Sequence, residues 1–178
     1  KANAMQQRTL GTSGLEVSVV GLGCNNFGGD RIDLEASRKV IHKALDSGIT
    51  LIDTADVYGN RGESETIIGE CPGDRRKDIV LATKCGLPMD EAGTLKGASR
   101  RHIQSAIEAS LKRLKTDWID LYIIHRPDPL TPVEEALRAL DDLVNRFFGQ
   151  QLGNRNARAS RITRQRNHRV AMSAQHKS

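Results

Sequence analysis

Aromatic residues are scarce in this chain: one Trp, two Tyr and three Phe among 178 residues, and none after Phe148. Proteins that hold single-stranded nucleic acid stack its bases on several aromatic side chains, so the basic C-terminal stretch lacks what that mode requires. Cysteine is also sparse. Cys24, Cys71 and Cys85 are odd in number and none is spaced as a metal or redox pair. That leaves free thiols in a reducing cytoplasm as the expected state. Cys85 stands beside Lys84 and reads either as a mildly reactive thiol or, the favoured reading, as a small buried apolar residue. No apolar run approaches the roughly 18 residues of a membrane span. No basic-then-apolar leader precedes a small-residue cleavage site. Residues 1–4 read as a cloning remnant ahead of Met5, which leaves 5–178 as a single domain.

Acid is missing altogether from the C-terminal stretch. Residues 146–178 carry eight Lys+Arg and no Asp or Glu, a net of +8, whereas residues 1–145 carry 19 against 22, a net of −3. The basic balance therefore belongs to the tail alone. A solvated helix face is the favoured reading of that tail, ahead of contact with a dinucleotide phosphate or with nucleic acid.

What is present is an alternation. Residues 7–10 and 16–20 read as extended stretches around a Gly11-Thr12-Ser13-Gly14 turn, a hairpin. A short apolar run, 19–22, then ends in Gly23. Residues 34–45 have helical spacing, with Val40, Ile41, Ala44 and Leu45 on one face, Asp33 as N-cap and Gly48 as the stop. Residues 50–52 read as a strand and 64–69 as a short helix. Strand 78–83, helix 100–114, strand 118–124 and helix 133–144 follow. In the last of these, Val133, Ala136, Leu137, Leu140 and Leu143 form one stripe, and Thr131 with Glu134 has capping-box spacing. Residues 146–149 (RFFG) read as a fifth strand, 156–165 as a helix with a thin apolar face, and 170–174 as a sixth strand. Only Asn145 would then separate helix from strand, where about 2–6 residues are usual. Strand-then-helix units imply a parallel sheet with right-handed crossovers, open or closed into a barrel. No glycine fingerprint follows the first strand, which weighs against the dinucleotide fold that depends on one.

The polar residues of interest fall at strand ends. Asp53 follows the run 50–52, Lys84 the run 78–83, and His125 the run 118–124, while Tyr58 lies in the loop after Asp53. Each has a plain structural alternative: a helix cap, a solvated lysine, a packed tyrosine, a satisfied histidine. Together, at one topological position, they favour a site, because a parallel barrel gathers its strand C-termini on one rim. The chemistry suits a carbonyl. A phenol titrates near ~10, and an adjacent ammonium stabilises its phenolate. A carboxylate would keep the ammonium charged and oriented, and a neutral imidazole would fix the carbonyl oxygen.

These stretches resemble the aldo-keto reductase family: residues 8–23 (RTLGTSGLEVSVVGLG), 51–59 (LIDTADVYG), 80–84 (VLATK) and 118–127 (WIDLYIIHRP) stand in its order and spacing, firmly over 8–144 and loosely over 146–178. The resemblance implies an α/β fold, the (β/α)₈ barrel with an N-terminal hairpin across its bottom. It implies reduction of an aldehyde or ketone by hydride transfer from NADP(H), less often NAD(H), with a small carbonyl compound as partner. It implies Tyr58 as general acid, Lys84 as the ammonium that tunes it, Asp53 as the partner of Lys84, and His125 as the substrate-orienting residue. It places Cys24 and Asn25 in the first-strand loop against cofactor and substrate, Asn26 and Phe27 more weakly at the pocket wall, and Gln175 (in Ser173-Ala174-Gln175) on the nicotinamide amide. The Ser-Asn pair usual after the fifth strand is replaced by Gly149-Gln150-Gln151-Leu152. A complete barrel of this kind takes around 250 residues. The chain is thus expected to end near the sixth strand, without the units that make most adenosine and phosphate contacts, and to bind cofactor poorly as it stands. A non-catalytic nucleotide-binding or regulatory protein on the same fold, and an inactive fragment, are the alternatives to an active reductase.

Overall fold

The computed structural model describes residues 4–155, those from 148 onward by their backbone alone. Strands β1 (Gln7–Thr9) and β2 (Glu16–Ser18) form the expected antiparallel hairpin, with Gln7 opposite Ser18. Strands β3 (Gly21–Gly23), β4 (Leu51–Asp53), β5 (Val80–Cys85) and β6 (Leu121–Ile124) then pair in that order into one parallel sheet. Ser18 joins the two sheets: its hydroxyl accepts from the Thr50 N–H at 2.9 Å, and its own N–H donates to Thr50 Oγ1 at 3.1 Å.

Helices alternate with these strands. Helix α1 (Leu34–Asp46) is capped as its sequence predicts: Asp33 accepts from the Ala36 N–H at 2.8 Å, and Gly48 takes φ +81° beyond the last turn. Of its expected apolar face Ile41, Ala44 and Leu45 are buried, while Val40 stays 39% exposed. Helix α2 (Tyr58–Glu70) covers the expected 64–69 but opens on an irregular turn. Helix α3 (Arg100–Arg113) is capped by the Ser99 hydroxyl and buries Ile103, Ala106 and Ile107. Helix α4 (Val133–Arg155) follows β6. Two apolar clusters lie between sheet and helices. One gathers Ile41, Leu45, Ile52, Ile67, Ile68 and Leu81; the other gathers Cys85, Ile103, Tyr122, Ile124 and Leu140. Each large aliphatic side chain so buried contributes about 1.5–3 kcal/mol, so the helix-facing side of the sheet holds the fold together. No helix among the described residues is long and apolar enough to cross a membrane.

Three expectations fail around α4. Its backbone runs unbroken through residues 146–149, so no fifth strand forms there, and 149–152 is helix rather than a loop after a strand. A short apolar run such as Phe147-Phe148 carries no period of its own, and here it continues the helix before it. The stripe is narrower than drawn: Ala136, Leu140 and Leu143 are buried with Ala139, whereas Val133 and Leu137 are 51% and 47% exposed. The Thr131 hydroxyl does not cap the helix but donates to Asp128 Oδ2 at 2.7 Å. The expected helix 156–165, strand 170–174 and Gln175 lie outside the described residues.

Candidate active site

The parallel register brings the C-terminal ends of β3 to β6 to one edge. Asp53 is the last residue of β4, Lys84 the penultimate residue of β5, and His125 the first after β6, while Tyr58 opens α2. Strand β5 thus runs two residues further than the sequence predicts. Backbone bonds fix the connections: the Cys24 N–H donates to Asp53 O, Thr54 to Ala82 O, Asp56 to Lys84 O and His125 to Cys85 O, all between 2.8 and 3.0 Å.

The four side chains converge. Lys84 Nζ donates to Asp53 Oδ2 at 2.7 Å and to the Thr54 carbonyl at 2.8 Å. An ammonium has three protons, so two are committed to holding it in place and one is left over. That ammonium lies 5.0 Å from the centroid of the Tyr58 ring, on its face. The Tyr58 ring meets His125 edge-on, centroids 5.6 Å apart at 85°. Lys84 is 14% exposed and Asp53 40%, so the pair is open to solvent from the carboxylate side. Burial lowers the His125 pKa from its ordinary value, the Lys84 and Arg126 charges lower it further, and Asp53 partly offsets them. The imidazole is therefore neutral at pH 7. Its Nδ1 is buried and has no hydrogen-bond partner among the described residues.

Tyr58 is presented by a backbone departure that the sequence only hints at. Gly59, Asn60 and Arg61 all take left-handed conformations, φ +63°, +55° and +62°. A side chain in that region costs about 1–2 kcal/mol, less for Asn, so Arg61 above all carries strain next to the candidate acid. Glycine is required at 59, since a Cβ there would stand 2.3 Å from the Phe27 carbonyl oxygen and 2.7 Å from Ser64 N. The two loops are also tied by Ser64, whose hydroxyl donates to the Cys24 carbonyl at 2.8 Å and shares a 2.9 Å bond with Thr54 Oγ1.

The first-strand loop divides its candidates. Asn25 and Asn26 are exposed beside the rim, with Asn26 Oδ1 accepting from Arg31 at 2.6 Å. Cys24 and Phe27 turn into the core at 0% and 2% exposure. Cys24 offers a ligand neither thiol nor backbone here, since its N–H is bonded to Asp53 O and its carbonyl accepts from Ser64, and its thiol is held protonated chiefly by burial. Sequence reasoning also missed a polar cluster behind the sheet. Glu65, fully buried, accepts from Arg113 Nε at 2.7 Å and from the Thr83 hydroxyl at 2.5 Å, with buried Asp56 nearby. Glu65 itself stands on α2 and its partners come from β5 and α3, far apart in sequence. The one local signal is an acid at 56 between Ala55 and Val57.

The profile of the aldo/keto reductase family matches residues 19–170. Among curated proteins, an uncharacterized oxidoreductase, YqkF, of Bacillus subtilis is 39% identical over 151 residues, covering 82% of this chain and 48% of its own. Aldo-keto reductase YhdN of the same organism is 42% identical over 146 residues, covering 79% and 44%. A probable voltage-gated potassium channel subunit beta of Arabidopsis thaliana is 37% identical over 164 residues, covering 89% and 49%. Among solved structures, the holo form of aldo-keto reductase AKR11C1 from Bacillus halodurans superposes with a TM-score of 0.71 at 39% identity, over 80% of this chain and 47% of that one. The chain spans about half the length of the relatives it matches.

Proposed function

This chain belongs to the aldo/keto reductase family, and from that premise we infer that it carries the proton-delivery half of an aldehyde or ketone reductase. The observation that carries this reading is the convergence of Lys84, Tyr58 and His125 at one rim, with the Lys84 ammonium anchored on Asp53 and on the Thr54 carbonyl.

Tyr58 is the general acid in this reading. Its hydroxyl gives its proton to the carbonyl oxygen as that oxygen gains negative charge. Lys84 stabilises the phenolate left behind, and Asp53 keeps Lys84 charged and pointed. Neutral His125 orients the carbonyl by hydrogen bonding. A nicotinamide dinucleotide, NADP(H) before NAD(H), supplies the hydride when bound. The exposed Asn25 and the solvent-open side of Asp53 fit a ligand lying along this rim. Asn25, Asp53 and Gln175 are the residues assigned to hold the dinucleotide, with Cys24 supporting the first-strand loop from behind. The three free, buried cysteines accord with a reducing compartment such as the cytoplasm.

A second reading is favoured by the likeness to proteins named as potassium channel β subunits: a nucleotide-binding regulatory protein on the same scaffold. One experiment separates them. The purified protein is titrated with NADPH and with NADH by fluorescence, then assayed for dinucleotide oxidation with an activated aromatic aldehyde. Aldehyde-dependent oxidation supports the reductase. Saturable binding without turnover supports the regulatory reading, and absence of both contradicts the two together.

A further inference from the structure

Behind the sheet, directly under the Tyr58 turn, two acids are buried with one base. Asp56 is 1% exposed and Glu65 0%. Arg113 gives its Nε to Glu65 at 2.7 Å and an Nη to Ser110 at 3.3 Å. Thr83 gives its hydroxyl to the other oxygen of Glu65. Two of the five N–H groups of Arg113 are thus engaged on Glu65 and Ser110 and none on Asp56, and neither oxygen of Asp56 has a hydrogen-bond partner among the described residues. A buried carboxylate with no donor is far costlier than a buried neutral acid. We propose that Asp56 is carried as the neutral acid in the folded protein, and that this proton is what lets segment 53–58 lie flat against β5 and present Tyr58 to Lys84 and His125.

The geometry gives the segment little room to do otherwise. The Asp56 N–H is bonded to the carbonyl of Lys84 itself, and the Tyr58 N–H to Ala55 O, so a backbone shift that brought Asp56 to solvent would pull on both catalytic candidates. The groups facing Asp56 are Glu65 on α2, Arg113 on α3, Lys84 and Cys85 on β5, and Tyr122 on β6. Burial and then Glu65 favour the proton, raising the Asp56 pKa from 3.8 to about 7. Arg113, the Val57 amide (which falls outside hydrogen-bonding geometry) and Lys84 oppose them. Asp56 is a positioning residue here. It touches no reacting atom, and its role stands whether or not the chain reduces a carbonyl.

Between its unfolded value and about 7 the folded state keeps a proton that the unfolded state has released, so raising the pH across that window weakens the fold. Asp56→Asn, which keeps the shape and removes the titration, is compared with the wild type by urea unfolding from pH 4 to pH 8. The expected result is near-equal unfolding constants at pH 4. The wild type should then fall behind the variant by a factor on the order of 10²–10³ by pH 7–8, because every pH step of one across that window changes the unfolding constant about tenfold. Difference infrared spectroscopy of the wild type at pH 6 should show a protonated-carboxyl band that Asp56→Asn lacks. The His125 ring protons, packed on Tyr58, should show an inflection near pH 7 in the wild type only. A variant weaker by the same factor at every pH, or a band that survives in the variant, overturns the assignment. If Asp56→Asn does not fold, the wild-type spectrum decides: no protonated-carboxyl band at pH 6 means Asp56 is an anion and the proposal fails.

Discussion

Replacing Gly59 by alanine should disturb the site more than its one methyl group suggests. Gly59 takes φ +63°, where an L side chain costs about 1–2 kcal/mol. Its Cβ would also stand 2.3 Å from the Phe27 carbonyl oxygen and 2.7 Å from Ser64 N, both backbone atoms that cannot swing aside. Relieving that overlap in packed surroundings costs about 1–3 kcal/mol more, for a total of about 2–5 kcal/mol. In a chain of this size such a loss lowers Tm by on the order of 5–15 °C. Gly11 supplies the control: it takes φ +55° with nothing within 4 Å of its would-be Cβ, so Gly11→Ala carries the conformational cost alone. Thermal unfolding of both variants by circular dichroism isolates the steric part. If Gly59→Ala cost no more than Gly11→Ala, the close approach of the β3 loop to the Tyr58 turn would be refuted.

Two further outcomes follow from the same structure. Arg113→Ala leaves fully buried Glu65 with only the Thr83 hydroxyl. Breaking such a pair costs about 3–5 kcal/mol, here toward the lower end because Arg113 is 23% exposed, and a loss under ~1 kcal/mol in urea unfolding would contradict the pairing. His125 should titrate below the ordinary ~6.5 of a free histidine when followed by NMR. Since the unfolded chain takes up that proton first, acidification through that value should weaken the fold, and a midpoint above it would contradict the burial and the Lys84 and Arg126 contributions.

The rim was legible in the sequence because strand ends and short motifs are local. Asp33 and Gly48 sit where capping chemistry puts them, and Asp53, Lys84 and His125 each follow an apolar run that reads as a strand. What was not legible depended on distance or on backbone geometry. Nothing near Phe147 says that α4 continues through it. Thr131 has the spacing of a cap, but Asp128 takes its hydroxyl through a local turn. Cys24 lies in the expected loop, yet the strand parity of β3 sends its side chain into the core. The left-handed turn at 59–61 is signalled by Gly59 and Asn60, which tolerate that region, whereas Arg61 adopts it against its own preference. The Asp56, Glu65 and Arg113 cluster has no sequence signature because its members meet only after the β4–α2 and β5–α3 units have packed.

The central claim, that Tyr58 delivers the proton, is tested most directly by Tyr58→Phe, with dinucleotide affinity measured alongside turnover of an activated aldehyde. The expected result is a fall in kcat of about 10²–10⁴, the usual worth of a positioned acid, with the Kd for the dinucleotide unchanged. Unaltered kcat in a variant that binds the dinucleotide normally would contradict it.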